Sequence, residues 1–480
     1  MNPTRTICGF AAVITGAAGV VAVAGPAAAD SDFVRPVYVT NRGIGWFGEL
    51  GPHVVSRYAI GPTGELVRLG DPVASGLGAR GIVFTPDARI AYVNAQDEHA
   101  IHAYRVGAGG ELTQLGSPVD TAGVDPFSIA ISPNGRNLYV PNQASHTVAV
   151  FAMDPSGAPV LLGEPVVTGA PNPRNVAVSP DGRFLFVGHG IPPDQDPDVL
   201  KVFPIRGDGT LGPAVTTVPI GASGNGMVTT PDGRFLYVTC ALSDQVFGFR
   251  VEPNGELRPV PHSPVLAPQT PEGLAMTPDG HTLTVAAVAT QPVLAPENDG
   301  LWTFSIGDDG ALTAIGGRFE ATAGPGITTT PDGRHLFVSN FFGNTVTAFD
   351  AATLRELSGS PQPSMGEAPS FNSTAVLPDQ GPSASFTVSS HGQLAHFDAT
   401  SSSDRDGRIA RYDWDFGDGS TLLGGGPRPS HAYREPGTYR VTLIDTDNEG
   451  CSDTLVFTGR TALCVGTPAA RATRPVHVGP

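Results

Sequence analysis

The chain has 480 residues, a formal net charge of −17 at pH 7, 61 glycines, 46 prolines and 40% apolar residues. That length exceeds what one hydrophobic core organises, and the abundance of turn formers suits short strands and excludes a helical bundle. Lys201 is the single lysine among 28 basic residues. No cationic stripe is therefore available to neutralise a row of phosphates, which excludes nucleic acid as a partner and leaves the acidity to solubility.

The chain opens with the pattern of an export signal. Arg5 supplies a short positive region, residues 7–23 form an apolar Ala/Gly/Val-rich core, and Ala27-Ala28-Ala29 before Asp30 reads as a cleavage site. Residues 1–29 are thus expected to be a signal peptide and the product to be secreted, with a retained anchor as the alternative. Cys8 lies at the start of the apolar core rather than at its end, which argues against a lipid-modified N-terminal cysteine. After cleavage Cys240, Cys451 and Cys464 remain.

A repeat then runs through most of the chain. The turn at Thr85-Pro86-Asp87-Ala88-Arg89 recurs beginning at Ser132, Ser179, Thr230, Thr277 and Thr330, each time as Ser/Thr-Pro-Asp/Asn-Gly-Arg/His. A short apolar run precedes each turn, such as Val176-Ala177-Val178, and an aromatic-valine pair follows, as in Tyr92-Val93, Tyr139-Val140, Phe186-Val187, Tyr237-Val238 and Phe337-Val338. Thr284-Val285 is the weak copy. Proline presets φ and Asp-Gly tolerates positive φ, so each unit reads as a β-hairpin, with a third strand and a less regular fourth behind it. Four strands at a period of about fifty residues make a propeller blade, because such a sheet buries both faces only by stacking on neighbours.

The ends of the array set the number of blades. Tyr38-Val39-Thr40-Asn41 matches a second strand with no first strand before it, and Asn372 to Leu377 followed by Pro378-Asp379 matches a first strand and its turn. Residues 33–380 are therefore expected to form a seven-bladed ring closed by strands from both ends of the array, which removes open sheet edges.

This pattern resembles the seven-bladed lactonase-type propellers, which include bacterial 6-phosphogluconolactonase and fungal carboxymuconate-lactonising enzyme, and the related YVTN repeat of extracellular proteins. Tyr38 to Asn41 spells the latter. The resemblance covers about residues 34 to 380 and implies fold more than chemistry.

From Gly381 a different pattern begins. Asp413-Trp414-Asp415-Phe416-Gly417-Asp418-Gly419, His431-Ala432-Tyr433 and Pro436-Gly437-Thr438-Tyr439-Arg440-Val441-Thr442-Leu443 resemble the signature of a polycystic-kidney-disease (PKD) domain. Trp414 and Phe416 alternate with carboxylates at strand spacing, so residues 381–466 are expected to form an Ig-like β-sandwich with the aromatics inside. Cys451 and Cys464 flank Leu455-Val456-Phe457 and in an exported chain are expected to form a disulfide. Residues 467–480, rich in Ala, Pro and Arg, read as a disordered tail. Asp404-Arg405-Asp406-Gly407 resembles part of a calcium loop but lacks the following ligands and the terminal glutamate, and reads as a solvated turn.

In such a ring the start of the first strand and the end of the second lie on one face around the central channel. Six residues before each turn proline stand Arg80, Phe127, Arg174, Asn225, Glu272, Pro325 and Asn372; the second strands end at Asn41, Ala95, Asn142, His189, Cys240, Ala287 and Asn340. A candidate site follows, with Arg174, His189 and Glu272 in catalytic roles and Arg80, Asn142, Asn41 and Asn340 as ligand-binding groups. Arginine would hold a carboxylate or developing oxyanion, and His or Glu would move a proton. The bland alternative is that these polar groups are solvated or cap turns.

Phosphogluconolactonase-like propellers carry a Pro-Arg-His run before a first strand and an Asn-Glu pair after the second. Here Pro173-Arg174-Asn175 and Gly188-His189-Gly190 stand in those places, so the arginine alone carries over. Nothing points to a metal or cofactor: there is no CxxC, HExxH or G-x-S-x-G, and Trp46, Trp302 and Trp414 are too few for the docking repeats of quinoprotein propellers. The expected protein is a monomeric extracellular binding module for a cell-surface protein, a polysaccharide or a small lactone-like ligand, with a secreted lactonase as the alternative.

Overall fold

In the repeated turn the side chains replace the backbone's missing partners. Ser179 Oγ donates to Asp181 Oδ1, the amide of Arg183 donates to the same carboxylate at 3.0 Å, and the amide of Phe184 donates to Ser179 Oγ at 2.9 Å. Gly182 takes φ of +71°, which the turn requires. The computed structural model describes residues 35–480 apart from 45–47, 49, 191–197, 268, 289–299 and 320–323. The expected signal peptide lies outside the described residues.

Each repeat is an antiparallel sheet, as in blade 5, where Gly224–Thr229, Phe235–Cys240, Gln245–Val251 and Leu257–Pro259 follow one another outward. Innermost strands of blades 2 to 7 are Ala79–Phe84, Ala130–Ile131, Pro173–Val178, Gly224–Thr229, Pro271–Met276 and Gly326–Thr329. Blade 1 takes its innermost strand, Thr374–Val376, from the far end of the array: Val37 opposes Val376, Tyr38 opposes Ala375 and Val39 opposes Thr374. The closed seven-bladed ring is as the repeat predicted.

The repeated aromatic has a second duty beyond filling the space between blades. Tyr38, Tyr92, Tyr139 and Tyr237 are fully buried, and each hydroxyl donates to a glycine carbonyl in the outer turn of the next blade: Gly110, Gly157 and Gly310 at 2.8 Å and Gly209 at 3.1 Å. A buried phenol needs such a partner, so these bonds tie blade to blade.

Beyond Gln380 one sheet holds Thr421–Leu422, Ile409–Asp415, Gly437–Asp447 and Arg471–Val478, and another holds Thr387–His391, Leu394–Asp398 and Ser430–Ala432. Trp414, Phe416, Phe397, Phe386, Val441 and Leu443 fill the space between them, with the Trp414 and Phe416 side chains inside as expected. The tail is a correction. Residues 471–478 are not disordered but pair along Gly437–Asp447, and Val476 and Val478 enter the core. A strand partner and two buried valines outweigh an Ala/Pro/Arg-rich composition.

Cys451 and Cys464 are joined in a disulfide. The loop they bound forms a hairpin, Val456–Phe457 with Ala462–Val465, and the latter strand runs parallel to Asp379–Gln380. Phe457 and Ala462 pack among Tyr139, Val150, Val178 and Leu185, so this hairpin belongs to the propeller's core as well as to its own module.

A charged knot holds the same junction. Arg35 donates to Asp379 at 2.6 Å, Asp406 at 3.1 Å and Glu449 at 2.5 Å, and to the carbonyl of Leu377 at 3.2 Å. The Asp404 to Gly407 turn is therefore only partly solvated: Arg405 is exposed, but Asp406 is 6% exposed and paired with a strand-leading arginine that is distant in sequence. Burial pushes Asp404 and Asp445 up to about 6. Burial also raises Asp379, because one guanidinium cannot neutralise three carboxylates. Asp379, Asp447 and Cys451 bring potential ligand atoms within 4.8 Å of one another, but the Cys451 sulfur is committed to the disulfide. Among the described residues no helix is long and apolar enough to cross a membrane.

Candidate functional site

The innermost strands do not begin as regular ladders. The register shifts between Pro173 and Asn175, between Pro271 and Gly273, between Gly224 and Met227, and between Ala79 and Ile82. A bulge frees the extra residue from pairing and re-aims its side chain, and the residues in these bulges include Arg174, Glu272, Asn225 and Arg80. Three of them precede a glycine that admits the neighbouring blade. A Cβ on Gly226 would stand 2.6 Å from the carbonyl oxygen of Glu272, and one on Gly273 would stand 2.9 Å from that of Pro325.

The bulged side chains meet around the channel. The guanidinium carbons of Arg80 and Arg174 each lie 4.2 Å from the centroid of the Phe127 ring, and 5.6 and 5.7 Å from that of Phe371. Arg80 donates to Ser370 Oγ at 2.9 Å and to Gln96 Oε1; Arg174 donates to Ser223 Oγ at 3.2 Å. Glu272 accepts from Asn225 Nδ2 at 2.5 Å, and Asn372 Nδ2 donates to Asn175 Oδ1 at 2.8 Å, a bond between blades 1 and 4.

The electrostatics follow from enclosure. Burial pushes Glu272 up to about 8, against the opposing pull of Arg174, the Asn225 amide and Arg80. Burial draws both arginines down, and for Arg80 the neighbouring Arg42 and Arg174 charges add to it. At neutral pH the mouth thus holds two cations and a carboxyl that largely keeps its proton, with the negative charge of Asp125 acting on both cations. That set is arranged for an anion.

The other expected residues are placed elsewhere. Asn41 spends its amide on the carbonyls of Val39, Val54 and Ser364; Asn142 donates to the carbonyl of Thr121 at 3.0 Å; Asn340 accepts from the amide of Gly343 at 3.1 Å. All three secure loops of their own blades or a neighbouring strand. His189 is buried, and its pKa falls to about 4 through burial and the nearby Lys201, which keeps the imidazole neutral. Its electrostatic neighbours include Lys201 and His146, and its backbone pairs with Pro173, next to Arg174. Phe127, Asn225 and Asn372 were legible in the same column as the arginines. Phe371, Ser370 and Gln96 were not, since they lie in the closing segment or after a second strand.

Residues 46–225 match the family model of the lactonase seven-bladed beta-propeller, and residues 380–460 match that of the PKD domain. The fold is a seven-bladed propeller that matches the lactonase-type model over its first half, followed by a domain that matches the PKD model. The propeller resembles a candidate 6-phosphogluconolactonase of Bacteroides fragilis, at TM-score 0.58 and 20% identity over 72% of this chain and 99% of that one. It likewise resembles a periplasmic gluconolactonase of Pseudomonas aeruginosa, at TM-score 0.55 and 21% identity over the same shares. At these identities the likeness speaks for the fold alone. The PKD domain is similar to part of a microbial collagenase of Vibrio alginolyticus, 39% identical over 86 residues, which is 17% of this chain and 10% of that protein. A collagenase of Clostridium perfringens is 46% identical over 55 residues, 12% of this chain and 5% of its own length. The chain thus spans a tenth or less of these curated relatives. Within the matched span, Arg174 lies in the bulge between Pro173 and Asn175.

Proposed function

We propose that this is an exported binding protein whose propeller takes a small carboxylate-bearing ligand at the channel mouth, presented on a PKD-bearing scaffold outside the cell. The observation that carries this reading is the pair of guanidiniums on Phe127. Two cations held against one ring repel one another, and a bound carboxylate would relieve that repulsion while accepting the planar donors of both. Export is supported by the leader-like residues 1–29 and by the Cys451–Cys464 disulfide, which persists in oxidising compartments. Surface partners such as polysaccharide or a neighbouring protein fall to the PKD domain on this reading.

Lactone hydrolysis is the second reading, and one observation favours it. Glu272, raised to about 8, is poised to exchange a proton near neutrality beside an arginine that would hold the oxyanion. Calorimetric titration with gluconate and a hydrolysis assay with gluconolactone separate the two. Gluconate is expected to bind the wild type, and Arg174→Gln to weaken it about tenfold, a loss of about 1.4 kcal/mol. Absence of gluconate binding removes the binding reading. Turnover of the lactone that Glu272→Gln abolishes would replace it with the hydrolase.

A further inference from the structure

The disulfide-bounded loop of the PKD domain enters the propeller at the end opposite the mouth, and four consecutive residues each engage a different blade. The amide of Thr229 in blade 5 donates to the carbonyl of Thr458 at 3.0 Å, that of Val178 in blade 4 to Gly459 at 2.7 Å, and that of Ile131 in blade 3 to Arg460 at 3.0 Å. In blade 2 the amide of Phe84 donates to Thr461 Oγ1 at 3.2 Å. An innermost strand has no neighbour on its channel side, so these amides need partners, and the loop supplies them. Gly459 takes φ of +119°, and a Cβ there would stand 3.0 Å from that of Ala177, so a larger residue would push the plug out.

From this plug the Arg460 side chain continues along the channel. Its Nη1 donates to the carbonyl of Asn372 at 3.4 Å, the blade 1 member of the column that forms the mouth. A cavity of about 40 Å³ lies beside the plug, lined by Leu274, Thr329, Thr374 and Thr458 among others. Among the described residues no carboxylate is paired with this guanidinium, and burial draws its pKa down only to about 10, so it stays cationic at neutral pH. The Arg460 side chain is half-buried, and a charge partly withdrawn from water gains from meeting a counter-charge.

We propose that Arg460 of the PKD domain is an anion-recognition residue of the propeller: the domain closes the far end of the channel and presents from below a cation to the acidic group of a ligand entering past Arg80 and Arg174. This rests on the mouth being a ligand site, and it makes the PKD domain part of that site rather than a separate adhesive module. The test uses the full chain, with gluconate as the probe in calorimetry and sulfate in thermal melts at constant ionic strength. Arg460→Gln is expected to weaken gluconate at least tenfold, with Arg460→Lys intermediate, while the Val178 and Thr229 amides stay protected from hydrogen exchange. Gluconate binding to Arg460→Gln as to wild type, while Arg174→Gln loses it, overturns the role of Arg460 and leaves the mouth reading intact. If gluconate does not bind the wild type, the mouth reading falls and sulfate decides. A rise in melting temperature larger for wild type than for Arg460→Gln upholds the cation's role, and equal rises reject it. Should Arg460→Gln lose the amide protection, Arg460→Lys is judged in its place, with a threefold or larger loss expected.

Discussion

At the scale of single residues, the mouth shows how enclosure changes chemistry without any unusual residue type. Glu272 is an ordinary glutamate whose bulged position leaves it half-buried at the channel, and desolvation there pushes its carboxyl up to about 8. Below that value it is neutral and leaves Asp125 as the counter-charge that Arg80 and Arg174 share, with Asp97 and Asp198 beside them; above it, its own negative charge also competes with any anionic ligand for them. Anion affinity is therefore expected to be higher at pH 6.5 than at pH 9, and Glu272→Gln to flatten the dependence. Titration calorimetry with gluconate at the two pH values measures this, and a stronger affinity at the higher pH would reverse the assignment. Residue identity at these positions was readable from the six-before-proline column. What was not readable is which column members turn inward together, because that depends on where each ladder bulges.

At the scale of elements, the repeated hairpin was legible because its turn chemistry is local: Ser179, Asp181 and Gly182 satisfy one another within a few residues. The PKD hairpin is the opposite case. Nothing in residues 455–465 marks them as a plug, since their partners, Thr229, Val178, Ile131 and Phe84, belong to four separate repeats. The disulfide closes the loop at a sequence separation of 13, and loop-closure entropy for that length is about 3 kcal/mol. Cys451→Ser with Cys464→Ser is expected to speed hydrogen exchange at the Val178, Thr229 and Ile131 amides well before the blades themselves open. Exchange that accelerates only together with blade amides such as those of Phe235–Cys240 would mean the plug has no independent motion. The C-terminal strand carries the same lesson. Val476 and Val478 alternate at strand spacing, but composition hid them, and only the open edge of Gly437–Asp447 gave them a place.

For the whole molecule, the Arg35 knot joins the first described residue to a strand end, a turn and a loop of the C-terminal module. Removing one partner leaves buried charges without compensation, so Arg35→Met is expected to cost about 3–5 kcal/mol in urea denaturation. Two other carboxyls of the C-terminal module titrate in a defined direction. Asp404 and Asp445 have folded values of about 6 against the usual 3.8, so the folded chain holds protons that the unfolded chain releases. Their contribution to stability is complete below about pH 4 and is lost as pH rises toward 7. Urea midpoints at pH 5 and pH 7.5 should thus fall less in an Asp404→Asn, Asp445→Asn double variant than in wild type; an equal or larger fall in the variant removes these carboxyls from the explanation.

The sequence by itself determined the ring, its seven blades and its closure, together with the sandwich that follows, because each rests on short-range turn chemistry and strand periodicity repeated until chance is excluded. It also placed Arg80, Arg174 and Glu272 on one face. Only the tertiary structure decided that the strand-end asparagines serve loops, that His189 is buried beside Lys201, and that the PKD domain reaches into the channel with Arg460. Those outcomes depend on contacts between residues tens to hundreds of positions apart, and no local pattern encodes a partner that arrives from so far along the chain.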